Sequence, residues 1–129
     1  MRPTSEKEIA AVVRLDGPSR LRHFVKRVAD SEAAWSLWND GWALMENNDG
    51  TPVFPLWPAP EYAELLRSGD WAQYEVRKIP LSDLLDELLP NLKLRGVLPG
   101  VFPTLQGKGV TPTPEELASH IREELEKYG

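Results

Sequence analysis

The chain has no cysteine. That excludes disulfides and thiol catalysis, and it fits a reducing compartment. Histidine is nearly as scarce. The two present, His23 and His120, lie far apart on separate expected helices, and neither stands in an HExxH or other ligand spacing. Both read as helix-surface residues, and neither a metal nor a cofactor is expected. No stretch approaches the roughly 20 apolar residues that a membrane span needs. The opening MRPTSEKEIAAVVRL carries Glu6 and Glu8 and no long apolar run, so it does not read as a signal peptide. Positive charge is in deficit. Fifteen Lys and Arg against 20 Asp and Glu leave a net charge of −5, a field that repels nucleic acid and suits a basic partner. A GxSxG elbow is missing, and Gln106-Gly107-Lys108-Gly109 lacks both the Walker spacing and its following Ser or Thr, so it reads as a turn. The expectation is a cytoplasmic protein without a membrane or nucleic-acid partner.

What is present fits one domain, 1–129, able to bury roughly two-thirds of its unfolded surface. Ser5 can cap a first helix, with Glu8 reaching back and Ile9, Val12 and Val13 on one face. Asp16-Gly17-Pro18 breaks it. A second helix starts near Pro18, with Leu21, Phe24, Val25 and Val28 as its apolar stripe. Trp35 to Trp38 and Trp42 to Glu46 read as extended, and Asn48-Asp49-Gly50 as a hairpin turn. The returning arm, Val53 to Trp57, is punctuated by Pro52, Pro55 and Pro58 and is therefore expected at a sheet edge or on a bulge. Pro60 opens a short helix that Gly69 should stop. Trp71 to Ile79 gives another strand.

Ser82 can cap a leucine-rich helix of Leu81, Leu84, Leu85, Leu88, Leu89 and Leu92, which should break or restart at Pro90. Val97 to Phe102 and a short strand from Val110 come next. Thr113-Pro114-Glu115-Glu116 then starts a last helix lined by Leu117, Ile121, Leu125 and Tyr128. The order is α-α-β-β-β-α-β-α-β-β-α. It predicts an α+β fold with α/β-like layers, a short mixed sheet of about five to six strands packed by about five helices.

All five tryptophans, Trp35, Trp38, Trp42, Trp57 and Trp71, fall in one stretch. Five are more than a core of this size usually needs. Trp42 and Trp57 flank the hairpin and are expected inside. Trp38 and Trp71 sit beside loops, where exposed aromatics suit an interface hot spot. The carboxylates Asp40, Glu46, Asp49, Glu61 and Asp70 lie among them, so the ingredients of glycoside hydrolysis exist, but no spacing singles out a pair. No catalytic residue is assigned. The basic run Arg20 to Arg27 reads first as the solvated face of an amphipathic helix, with a phosphate or acidic-partner patch as the alternative.

The segments GWALMENNDGTPVFPLWPAPEYAELLRSGDWAQYEVRKIPLSDLLDELLPNL and GVFPTLQGKGVTPTPEELA, with FVKRVAD before them, resemble a bacterial family known as domain of unknown function 2750. The resemblance covers nearly the whole chain and implies no established activity. A looser resemblance, to the SseB-type domain, rests on Asp49-Gly50, Phe54, Ala63, Leu84-Leu85 and Phe102-Pro103, and implies a helix-and-sheet module without obvious catalytic residues. The functional expectation is a non-enzymatic protein-binding module, of which immunity or antitoxin-like proteins are one kind. It would act through a Trp/Pro-rich surface around Trp38, Trp57, Tyr62 and Trp71. The alternatives are a small carboxylate-based enzyme or sugar-binding domain, and a structural homodimer.

Overall fold

The apolar stripe of the second helix decides where that helix lies. The structure, a computed structural model, describes residues 6–104 and 109–127. Helix α1 spans Glu6–Val12 and α2 spans Gly17–Ser31. Asp16 caps α2 by accepting the Ser19 N–H at 2.8 Å, and Pro18 occupies the first turn, where a donor would have no partner. Phe24 and Val28 are fully enclosed, with Val25 and Ala29 beside them. An Arg27–Glu8 ion pair at 2.9 Å joins α2 to α1. The expected cap at Ser5, the turn at Gln106 to Lys108 and the lining residue Tyr128 lie outside the described residues.

Among the described residues five strands follow the expected order: β1 (Ala33–Trp38), β2 (Met45–Glu46), β3 (Pro52–Leu56), β4 (Glu75–Pro80) and β5 (Leu98–Val101). β1 pairs antiparallel with β4, while β3 lies between antiparallel β2 and parallel β5. The two small sheets are stitched together where Trp35 and Trp57 exchange both backbone hydrogen bonds at 2.9 Å. The anticipated sixth strand reduces to a single bridge between Val101 and Val110.

The proline-bearing arm is therefore an interior strand, not an edge or a bulge. Leu56 turns its carbonyl to the β5 side, where it accepts the Phe102 N–H at 2.9 Å. The Pro55 carbonyl faces β1 instead and is satisfied by the Ser36 hydroxyl at 2.6 Å. A side-chain donor from β1 thus satisfies the Pro55 carbonyl at the junction.

The turn expected after β2 is present. The Asn47 side-chain oxygen accepts from the Asp49 and Thr51 N–H groups, and Gly50 takes φ +80°. Helix α3 (Pro60–Leu65) ends before Gly69, which opens a short 3-10 turn (Gly69–Trp71) and does not cap α3. Helix α4 covers 81–95. It starts at Leu81 directly after Pro80, so Ser82 lies inside its first turn and makes no cap.

At Pro90 the regular α-helix restarts, as expected: its turns resume at Leu89 with Pro90 in the first of them, and the chain does not leave the helix axis. The five residues Leu84–Leu88 adopt a π turn, and the Leu89 N–H reaches back to the Leu84 carbonyl. The widened turn relieves the clash that a proline ring makes with the preceding turn. Leu81, Leu84, Leu89 and Leu92 are buried, with Leu85 and Leu88 partly so.

Helix α5 (Pro114–Glu126) begins with a complete capping box. Glu116 N–H donates to Thr113 Oγ1 at 3.1 Å, and Thr113 N–H donates to Glu116 Oε1 at 2.8 Å. α5 packs on α2, on the C-terminal part of α4 and on β5, while α3 lies against β1 and β4. The core runs through Phe24, Leu37, Leu56, Trp57, Tyr62, Leu84, Phe102, Leu117 and Ile121. Among the described residues no helix is long and apolar enough to cross a membrane.

Candidate binding surface

The chain contains the tripeptide Asn-Asp-Gly twice, and the first copy builds the surface. Asn39-Asp40-Gly41 folds β1 back on itself. Asn39 N–H donates to the Gly41 carbonyl and Ala43 N–H to the Leu37 carbonyl, each at 2.9 Å, with Asp40 at φ +57°. Trp38 and Trp42 become cross-strand partners, their rings edge to face at 5.0 Å. Trp42 leans inward on Phe54 at 5.5 Å. From β4, the Arg77 guanidinium lies 4.2 Å over the Trp38 ring. Glu75, paired across from Trp38, holds Arg77 at 2.8 Å. Leu44 beside this cluster is 53% exposed.

Trp42 also walls a groove of about 280 Å³ that runs on to the start of α4. Asp83 and Glu87 stand along it one helical turn apart, both exposed, opposite Lys78. Among the described residues neither carboxylate forms an ion pair.

The four residues expected to form one surface do not share it. Trp38 is partly open. Trp57 is 0% and Tyr62 1% exposed, so neither presents its ring to solvent. The Trp57 indole donates to the Pro103 carbonyl at 2.8 Å, and Tyr62 packs 4.7 Å from Phe102. The reason is the interior position of β3, which carries Trp57 into the middle of the layer and α3 in after it. Trp71 is half-buried, edge-on against Trp57 at 6.3 Å. Trp42, expected inside, is also only half-buried. The sequence reading missed Trp42 and Arg77 as surface partners. The repeated Asn-Asp-Gly is the signal that could have paired Trp42 with Trp38. Arg77 arrives through strand register and carries no local signal.

Residues 21–121 match the family model described as Protein of unknown function (DUF2750). The chain belongs to this family. No curated protein and no solved structure matches it. The DUF2750 match takes in Trp38, Trp42, Arg77, Asp83 and Glu87, so the whole surface lies inside the family's own segment.

Elsewhere in the chain, the carboxylates held below their usual range are helix-start anions. Asp16 and Glu116 are held below their usual range by hydrogen bonds from Ser19 and from Thr113. Glu115 is lowered by a backbone N–H and then by Lys93. Each of the three is exposed, and each stands at the start of a helix. Among the described residues no group of three or more His, Asp or Glu could hold a metal.

His23 departs from the expected helix-surface position. Its ring meets Tyr62 edge-on at 6.4 Å and Phe102 at 6.2 Å. Among the described residues its buried Nε2 finds no partner. Burial pushes its pKa below the ordinary histidine value, with Glu8 opposing and Arg27 adding to that shift. A depressed folded-state pKa means that the unfolded chain takes up the proton first. His23 therefore costs nothing above the unfolded value of 6.5 and destabilises the fold progressively as pH falls below it, down to its folded value. Urea midpoints at pH 7.5 and 5.5 should show a drop for the native chain that is smaller in His23→Phe. Equal drops in both would mean that His23 is not the source of the pH dependence.

Proposed function

We propose that this DUF2750 domain is a non-enzymatic module that binds another protein, of basic character, through Trp38, Trp42 and Arg77 and the acidic groove beside them. One observation carries the reading: a partly exposed Trp38 ring braced edge-on by Trp42 and roofed by Arg77. Tryptophan and arginine are the residues most enriched at interface hot spots. A ring already held in place loses little freedom on binding, which leaves more of its contact energy for the partner.

The basic character of the partner rests on Asp83, Glu87 and Trp42. Two like charges one turn apart on α4 repel each other, and a cationic side chain entering the groove would relieve that repulsion while resting on the indole. The net charge of −5 steers such a partner from a distance. Trp71 and the enclosed Trp57 and Tyr62 act behind this surface as its support. An immunity or antitoxin-like role belongs to the same reading, as does a cytoplasmic setting. The element order also supports the SseB-type likeness.

The test combines capture with point variants. A basic partner retained by the native domain should be lost, by about tenfold or more in affinity, from Trp38→Ala and from Asp83→Lys/Glu87→Lys. The melting temperature of each variant should move by only a few degrees. A partner that binds these variants as well as the native chain sinks the proposed surface. A second copy of the chain as the captured species would favour the homodimer instead, at twice the monomer mass in solution.

A further inference from the structure

The basic run on α2 is not used by the aromatic surface. Arg22 and Lys26 stand one helical turn apart, and like charges at that spacing weaken a helix. Across the seam with α5 they meet His120 and Lys127, and the four side chains border one groove of about 240 Å³. Leu21 and Val25 form its apolar floor, Val25 being 7% exposed.

Glu123 and Glu124 line the same groove. Glu124 is already engaged by Lys127 at 3.2 Å, and its side chain is only 12% exposed. Arg22 gives one N–H to the Ser19 hydroxyl at 3.0 Å and keeps the rest of its donor fork. Among the described residues Lys26 forms no ion pair. Arg22, Lys26 and Lys127 against Glu123 and Glu124 leave an excess of one positive charge before His120 is counted, in a chain whose total is −5.

We propose that this groove binds a small organic phosphate. The phosphate sits among Arg22, Lys26 and His120, and the organic part lies over Leu21 and Val25. The arginine fork matches phosphate oxygens in pairs, lysine supplies a point charge, and the imidazole offers a further N–H. Donors arriving from two helices suit a tetrahedral dianion better than a flat carboxylate. The groove volume exceeds what a bare phosphate fills, and the apolar floor calls for carbon. The inference stands on α2 and α5 alone and does not depend on the protein-binding reading.

The experiment is an NMR titration of the full chain with phenyl phosphate, set against inorganic phosphate at matched ionic strength. Saturable shifts at Val25 and His120 are expected, with phenyl phosphate binding more tightly than inorganic phosphate. Lys26→Glu and Arg22→Glu should each weaken phenyl phosphate about tenfold or more, and Trp38→Ala should leave it unchanged. Both charge reversals fall on exposed positions, so the fold should persist in each, and a melting curve confirms it. The proposal is overturned by shifts that never saturate, by charge-reversal variants that bind as the native chain does, or by inorganic phosphate binding equally well.

Discussion

Replacing Trp57 by alanine is expected to cost about 4 kcal/mol of stability, the usual range for emptying an aromatic site in a packed core. The ring is 0% exposed and stands at the junction of the two sheets. Its removal would withdraw the edge contact that supports Trp71 at 6.3 Å. It would also leave the Pro103 carbonyl without its indole donor, a further penalty of about 1–3 kcal/mol if water cannot reach it. Domains of this kind hold only about 5–15 kcal/mol in total. The melting temperature should fall by roughly 15 °C or more, and the variant should be recovered poorly from cells. Trp57→Phe is the milder change. It keeps most of the volume but loses the indole N–H together with part of the fused ring, so it should fall between the native chain and the alanine variant. A Trp57→Ala protein that melts like the native chain would mean that the indole is not the keystone its burial implies.

That contrast with Trp38 shows what was legible before the fold was known. Helix and strand order was legible because it rests on local signals. Phe24, Val25 and Val28 recur at helical spacing, Asp16-Gly17-Pro18 ends one helix and Pro18 opens the next, Thr113 caps the last helix, and Asn48-Asp49-Gly50 can only turn. Each of these acts within a few residues, where sequence and structure speak the same language. The misread features are those decided by distant partners. Pro55 looked like an edge residue because a proline normally spoils a ladder, but Ser36 completes the junction from another strand. Pro90 looked like a break or a restart because its clash is local, and the regular helix does restart beside it; the π turn before it is what carried no local signal. Trp57 flanks the hairpin and reads as core, while Trp38 sits beside a loop, yet the same reading also grouped the two on one surface. Their difference is made by the pairing of β1 with the end of β3, which encloses one ring and leaves the other at a rim.

The same logic explains why the candidate site was only partly visible. A surface needs side chains from several elements, and the register between β1 and β4 is what carries Arg77 to Trp38. The acidic wall comes from α4, whose start is set by Pro80 at the end of β4. Tryptophan clustering marked the region in which Trp38 and Trp42 meet. The groups that surround the Trp38 ring came from other strands.

Gly109→Ala should be the most damaging change at any glycine that bends the chain. Gly109 has φ +83°, where an L side chain is strained by about 1–2 kcal/mol wherever it occurs. A Cβ there would also lie 2.4 Å from the Val101 carbonyl oxygen and 3.1 Å from the Phe102 carbonyl carbon. Those atoms cannot step aside. Val101 and Val110 exchange backbone hydrogen bonds at 2.7 and 3.2 Å, and Phe102 itself is held at φ +66° with its ring enclosed. The whole corner next to β5 is therefore built on the absence of a side chain at one position.

Two other glycines divide the effect into its parts. Gly50 shares the positive φ, at +80°, but has open space around the missing Cβ, so Gly50→Ala should cost only the conformational strain. Gly41 has open space and no positive φ, and Gly41→Ala should be close to neutral. Chemical denaturation of the three variants should rank them Gly41, Gly50, Gly109 in rising cost, with Gly109→Ala losing about 3 kcal/mol or more. If Gly109→Ala costs no more than Gly50→Ala, the bridge at Val101 yields easily, and the strain seen at Phe102 is not locked by its neighbours.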